Sequence, residues 1–188
     1  MIESVRGAAE QGSWSFNADH GLLPNPVGHT FPILTYDSNE KWKLIGTGFY
    51  ISKDGLFLTA KHVIEDVLQG INQIKPIAIF HLHSETGMFG PDSYLLRPIF
   101  QCWMSKKSDV AFGVAATATN KTSGEQLSHW HWPISFRIPE IHTQIGLYAF
   151  SNHAVSEEDG RQKIAFLPDA YLGHIQDVAD FRDSTSIY

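Results

Sequence analysis

A chain of 188 residues with 43% hydrophobic and 12% aromatic content can bury a sizeable core and is too apolar to stay disordered. Its net charge of −6 and lack of a basic stripe argue against a nucleic-acid partner. One cysteine, Cys102, excludes an internal disulfide. With no apolar signal-peptide core and no run long enough to span a membrane, a cytoplasmic setting is expected.

In chain order, residues 1–28 are polar, glycine-bearing and without period, and read as an N-terminal arm. From residue 29 the apolar runs are short and strand-like: "TFPILTY", "WKLIGTGFYI", "GLFLTA", "KPIAIFHLH", "SYLLRPIFQCWM" and "DVAFGVA". In the second run Ile45, Thr47, Phe49 and Ile51 alternate with Leu44, Gly46, Gly48 and Tyr50, the period of a strand with one buried face. Lys53-Asp54-Gly55 reads as a turn, and "KHVIEDVLQ" is the only clear helical stretch of this half. Closely spaced strands of this kind predict a closed antiparallel barrel over residues 29–117. Residues 115–130 are small and polar, a connection to a second unit over 118–188. Its strands are expected in "WPISFRI", "TQIGLYAF", "KIAFLP" and "AYLGHIQDV". Fewer strands and no obvious closing one predict an all-β chain whose second barrel is incomplete, with a bare edge or apolar surface near residues 145–178.

The stretch "GTGFYISKDGLFLTAKHVIED" puts a histidine, His62, where an apolar strand breaks into a helix. A strand end followed by a helical turn holds an imidazole rigidly at a barrel rim. Serine hydrolysis needs such a ring, fixed in one tautomer by a carboxylate. "KKSDVAFGVA" offers Asp109 as that carboxylate, leading into the apolar alternation of Val110, Phe112 and Val114. An aspartate entering a buried strand costs desolvation unless it is paired, so a partner is expected. Taken singly, each has a plainer reading, His62 as a satisfied structural histidine and Asp109 as a turn or cap residue.

"GTGFYISKDGLFLTAKHV" resembles the Gly-x-Gly-Phe-x-Ile…Leu-x-Thr-Ala-x-His-Val segment of trypsin-like serine proteases, especially the bacterial branch without disulfides. "SDVAFGVA" is similar to the family's Asp-Ile/Leu-Ala segment. "IHTQIGLYAFSN" and "YLGHIQDV" resemble strands of its second barrel, with Ala149 where glycine is common. The resemblance runs in order over residues 29–178. It implies two antiparallel β-barrels, a Ser-His-Asp endopeptidase acting on polypeptides without a cofactor or metal, His62 as general base and Asp109 as its orienter.

One departure bears on activity. The family's nucleophile stands in Gly-x-Ser-Gly-Gly, and no such motif occurs in these residues. In the nearest imitation, "RDSTS", Asp183-Ser184 mimics the pair at the nucleophile, but Arg182 and Thr185 replace the glycines before and after it, and the oxyanion turn favours glycine. The expectation is a chain that stops before its serine and is inactive as it stands. The alternative is a non-catalytic pseudoprotease that binds a protein or peptide. The remaining candidates read as structural. His81 and His83, like His129 and His131, have metal-pair spacing without a third ligand and are expected to face solvent from strands. Trp130 and Trp132 read as packing residues, Cys102 as a small buried hydrophobe, and Glu157-Glu158-Asp159-Gly160 as a solvated hairpin loop.

Overall fold

The apolar runs of the first half fold into strands that close on themselves. The structure, a computed structural model, describes residues 3–4, 17–18, 21–22, 28–36, 39, 41–68, 77–82, 94–119, 123–158 and 161–178. In chain order the elements are β1 (Glu3–Ser4), β2 (Asn17–Ala18), β3 (Gly21–Leu22), β4 (Thr30–Tyr36), β5 (Trp42–Tyr50), β6 (Leu56–Thr59) and α1 (Lys61–Leu68). There follow β7 (Ile77–Leu82), β8 (Tyr94–Met104), β9 (Ala111–Ala115), β10 (Gln144–Glu158) and β11 (Arg161–His174). Strands β4, β5, β6, β9, β8 and β7 pair antiparallel in that order, and β7 returns to β4 to close the barrel. β10 and β11 form a long antiparallel ribbon with β1 added in parallel beside β11, and this sheet does not close. Part of the expected N-terminal arm therefore serves as a sheet strand, and β2 pairs with β3.

Phe31, Ile33, Tyr50, Phe57, Ile64 and Ile79 fill the barrel. The alternation expected across residues 44–51 changes face once. Ile33 pairs with Gly46 while Leu34 pairs with Leu44, so Ile45 is the extra residue of a bulge. That slip sends Leu44 outward and keeps Gly46 and Tyr50 facing the barrel core. Gly46 is needed for close approach, because a Cβ there would lie 2.5 Å from Val63 Cγ2. Bare backbone on β5 lets α1 pack down onto the barrel.

The last barrel strand reverses the expected parity. Ala111, Gly113 and Ala115 point inward, while Phe112 and Val114 lie on the outer side. The cause is space: a Cβ on Gly113 would lie 2.6 Å from Phe57 Cζ and 2.8 Å from Cys102 Sγ. Only small side chains fit beside Phe57, so Phe112 turns outward and stacks on Trp103 at 5.1 Å. Asp109 consequently enters the strand from an exposed rim rather than a buried one.

Among the described residues, the second half holds fewer strands than the sequence predicts. "WPISFRI" forms none. Pro133 and Pro139 bracket it, each lacking the N–H a ladder needs, and Ile134, Phe136 and Ile138 are exposed. "KIAFLP" and "AYLGHIQDV" are not two strands, since β11 runs unbroken from Arg161 to His174. Pro168 is tolerated inside it because it sits opposite Phe150, beside the β10 bulge at Ser151. β10 extends the expected "TQIGLYAF" through Glu158, which pairs with Arg161. Asp159 and Gly160 lie outside the described residues.

The ribbon meets the barrel along one side. Leu34 and Leu44 on the barrel's outer surface pack against Phe150, Ile164 and Phe166, which explains why β4 is buried on both faces. The Thr47 hydroxyl accepts the Phe150 N–H at 2.7 Å, and the Gln162 amide bonds both the N–H and the C=O of Trp42 at 2.9 and 2.7 Å. Lys41 pairs with Glu157 at the margin. Among the described residues, the ribbon's other face has no such cover. Ile145, Leu147 and Tyr171 stand exposed there, Leu147 directly opposite Tyr171.

Candidate functional site

Helix α1 begins one residue after β6 ends, and the join is pinned from both sides. Thr59, buried at the strand terminus, donates its hydroxyl to the Thr47 carbonyl at 2.9 Å. Val63, Ile64 and Val67 form the helix's buried face, which turns Lys61, His62 and Glu65 outward. Lys61 and Glu65 pair at 3.7 Å along that outer side. His62 is therefore fixed in position by two buried neighbours that immediately follow it.

The first turn of a helix has N–H groups without intrahelical partners. Asp109, reaching across from the rim before β9, supplies one: its Oδ1 accepts the His62 backbone N–H at 3.0 Å. Its Oδ2 lies 2.7 Å from His62 Nδ1. The backbone closes the same junction, with the Lys61 N–H donating to the Asp109 carbonyl at 3.3 Å. Two residues distant in sequence thus meet through three contacts, and a single carboxylate both caps the helix and holds the ring.

The chemistry follows from the donors available. A carboxylate only accepts, so Nδ1 carries the proton and Nε2 is left as a lone pair without a partner among the described residues. Hydrogen bonds from the His62 backbone N–H first, then from its ring, hold the Asp109 carboxyl below its ordinary value, so it stays ionised under neutral conditions. The pair is solvent-facing, with side-chain exposures of 65% for His62 and 60% for Asp109. An oriented imidazole with an open Nε2 can take a proton from a hydroxyl or water brought against it.

The other candidates fall elsewhere. Ser184 and the whole of "RDSTS" lie outside the described residues, as does His83, and the His81 side chain is likewise outside them. Cys102 packs against the barrel core, where burial pushes its thiol up to about 11, away from thiolate chemistry. Among the described residues, no group of three or more His, Cys, Asp or Glu side chains is placed to hold a metal ion. Trp130 and Trp132 do pack: both face the His29 ring, at 5.7 and 4.6 Å.

His129 departs from expectation. It is buried and belongs to no strand, while His131 beside it is exposed. Segment 126–132 lies along the barrel mouth, with His129 N–H donating to the Lys53 carbonyl at 3.1 Å and Trp132 N–H to the Tyr50 carbonyl at 2.9 Å. The His129 ring sits 4.2 Å from the Tyr50 ring and meets the Arg97 guanidinium through Nε2. Arg97, 2% exposed, also donates to the Ala116 carbonyl and, at 3.3 Å, to the Tyr50 hydroxyl. The signal for this cluster in the sequence is an arginine in the middle of the apolar run "YLLRPIF".

Fold and site together define a mostly β chain with a closed antiparallel barrel, an open second sheet, and a carboxylate-held histidine on the barrel rim. Compared with protein-family models and with curated proteins, the chain matches none. No helix among the described residues is long and apolar enough to cross a membrane.

Proposed function

We propose that this chain carries the base-and-orienter half of a trypsin-like serine endopeptidase, with His62 as general base and Asp109 as its orienting carboxylate. The observation that supports it is the 2.7 Å contact between His62 Nδ1 and Asp109, which leaves Nε2 free on an exposed rim. In this reading, Nε2 takes the proton of a serine hydroxyl as it attacks a peptide carbonyl, and returns it to the leaving amine. Asp109 remains a carboxylate throughout and stabilises the imidazolium as it forms. The barrel and the open sheet correspond to a first and a partial second trypsin-like barrel. Polypeptides are the substrate class, and the single cysteine favours a cytoplasmic setting.

These 188 residues hold no Gly-x-Ser-Gly-Gly, so they lack the loop that supplies both nucleophile and oxyanion donors. Each missing donor removes on the order of 100-fold in rate. The chain by itself forms no serine acyl-enzyme. That same feature favours one alternative, a pseudoprotease that keeps the scaffold to bind a protein or peptide.

A fluorophosphonate probe, which labels only an activated serine, tests the reading. The expected result is no stoichiometric labelling of the 188-residue chain. Labelling that vanishes in His62→Ala would overturn the claim of inactivity, and labelling lost in Ser184→Ala would identify "RDSTS" as the nucleophile loop. The coding sequence beyond Tyr188 separates the two functions. A frame continuing into Gly-x-Ser-Gly-Gly supports the endopeptidase, and a stop codon supports the pseudoprotease.

A further inference from the structure

The turn joining β5 to β6 and segment 126–129 border an open pocket of about 260 Å³, at the opposite end of β6 from His62. Its volume is far above the ~15 Å³ a single water requires. The lining is mostly polar: Arg97 and His129 form its buried wall, and Lys53, Asp54, Gln126 and Ser128 are exposed at its rim.

Arg97 makes this pocket electrically unusual. Its contacts among the described residues are the Ala116 carbonyl, the Tyr50 hydroxyl and His129 Nε2. None of these is an anion. Burial pushes the Tyr50 phenol far up, so that hydroxyl stays neutral, and the ring contacts of His129 make its imidazole neutral as well. Its Nδ1 lies 2.9 Å from the Lys53 carbonyl, which can only accept, so the proton sits on Nδ1 and the Nε2 lone pair faces the guanidinium. Desolvation presses the Arg97 guanidinium toward its uncharged form, but arginine keeps its proton in proteins. A buried cation is expensive to hold without a counter-charge. Here the nearby neutral groups orient its plane and leave the charge itself uncompensated. The charges at the rim are one of each sign, Lys53 and Asp54, so they cancel rather than neutralise the wall.

We propose that this pocket binds a small oxyanion of the phosphate or carboxylate class. Arg97 supplies the fixed positive potential from the wall. Lys53 contributes a mobile cation at the mouth, and the Ser128 hydroxyl and Gln126 amide supply neutral donors. Asp54 at the rim disfavours highly charged ligands and selects compact ones that seat below it. Because the pocket is built from the β5–β6 turn and segment 126–129, an occupant ties that segment to the barrel and stabilises their junction.

Calorimetric titration of the full 188-residue chain with inorganic phosphate, at constant ionic strength, tests the site, and acetate in a parallel titration separates phosphate from carboxylate preference. The expected result is saturable binding to the wild type with a matching rise in melting temperature. Lys53→Glu, on an exposed turn that tolerates substitution, should bind roughly tenfold more weakly, the equivalent of one charge-assisted hydrogen bond. Arg97→Gln should abolish binding, and Lys43→Glu, an exposed lysine on β5 outside the pocket, should leave it unchanged. No saturable binding of either anion to the wild type would overturn the proposal. So would equal weakening by Lys53→Glu and Lys43→Glu, which would mark diffuse charge screening and not a site.

Discussion

Strand β4 is buried along both faces, whereas β10, twice as long, has one face against the barrel and another that carries Ile145 and Leu147 into solvent. The two regions have similar strand-forming sequences and differ in closure. In the barrel every strand has two neighbours, so backbone groups are paired and the enclosed side chains pack in a space of fixed size. Among the described residues the ribbon pairs only within itself and with β1, and its apolar residues are shared between an interface and open surface. Closure, more than apolar content, decides where a given substitution is felt.

The sharpest way to break this comparison is to remove equal volumes from each region. Ile33→Ala, inside the barrel, should lower stability by about 2–5 kcal/mol in urea unfolding, because the closed wall cannot collapse onto the cavity. Leu147→Ala, on the exposed ribbon face, should stay within about 0.5 kcal/mol. Equal losses would mean that the ribbon's outer face is covered in solution.

Adding volume probes the same closure from the other side. Gly113→Val should cost about 1–3 kcal/mol, since Phe57 and Cys102 already occupy the space its side chain would need. The same exchange at Gly173, where a Cβ meets nothing nearer than 3.9 Å, should be much milder.

A smaller effect is expected at the seam between the two regions. Thr47→Val removes the hydroxyl that receives the Phe150 N–H and should cost about 1 kcal/mol. Hydrogen exchange at the Phe150 amide should accelerate by more than exchange within the barrel, which would show the ribbon loosening while the barrel holds.

The smallest effect concerns the rim. Asp109 is held below its ordinary carboxylate value of 3.8 by hydrogen bonds that form only in the folded chain. Its stabilising contribution is complete above that value and is lost as pH falls through the lowered one. A carboxyl-detected NMR titration should find the Asp109 midpoint below 3.8, and Asp109→Asn should remove that acid dependence of stability. A midpoint at or above 3.8 would mean that the contacts to His62 do not persist in solution.

Local signals made much of the barrel legible. All six strand runs of the first half correspond to strands within a few residues, because short apolar runs between turn residues carry their own boundaries. The strand-to-helix break at Thr59-Ala60 was equally plain, and with it the place of His62. Periodicity failed where side-chain size overruled it. In "DVAFGVA" the larger apolar residues suggested the buried face, yet the room left by Phe57 admits only Ala111, Gly113 and Ala115. The same crowding placed Asp109 on an exposed rim, a result no pattern within residues 105–115 could disclose.

What the amino-acid sequence determined by itself was the six strands of the barrel, the position of His62 at a helix start, and the pairing of apolar runs with tight turns. These depend on residues within a turn or two of each other. Tertiary structure alone decided the bulge that flips Leu44, the passage of β11 straight through Pro168, and the docking of segment 126–132 that buries His129 against Arg97. Each of those depends on what a side chain meets across the fold, and the available space there is set by partners far away in the chain.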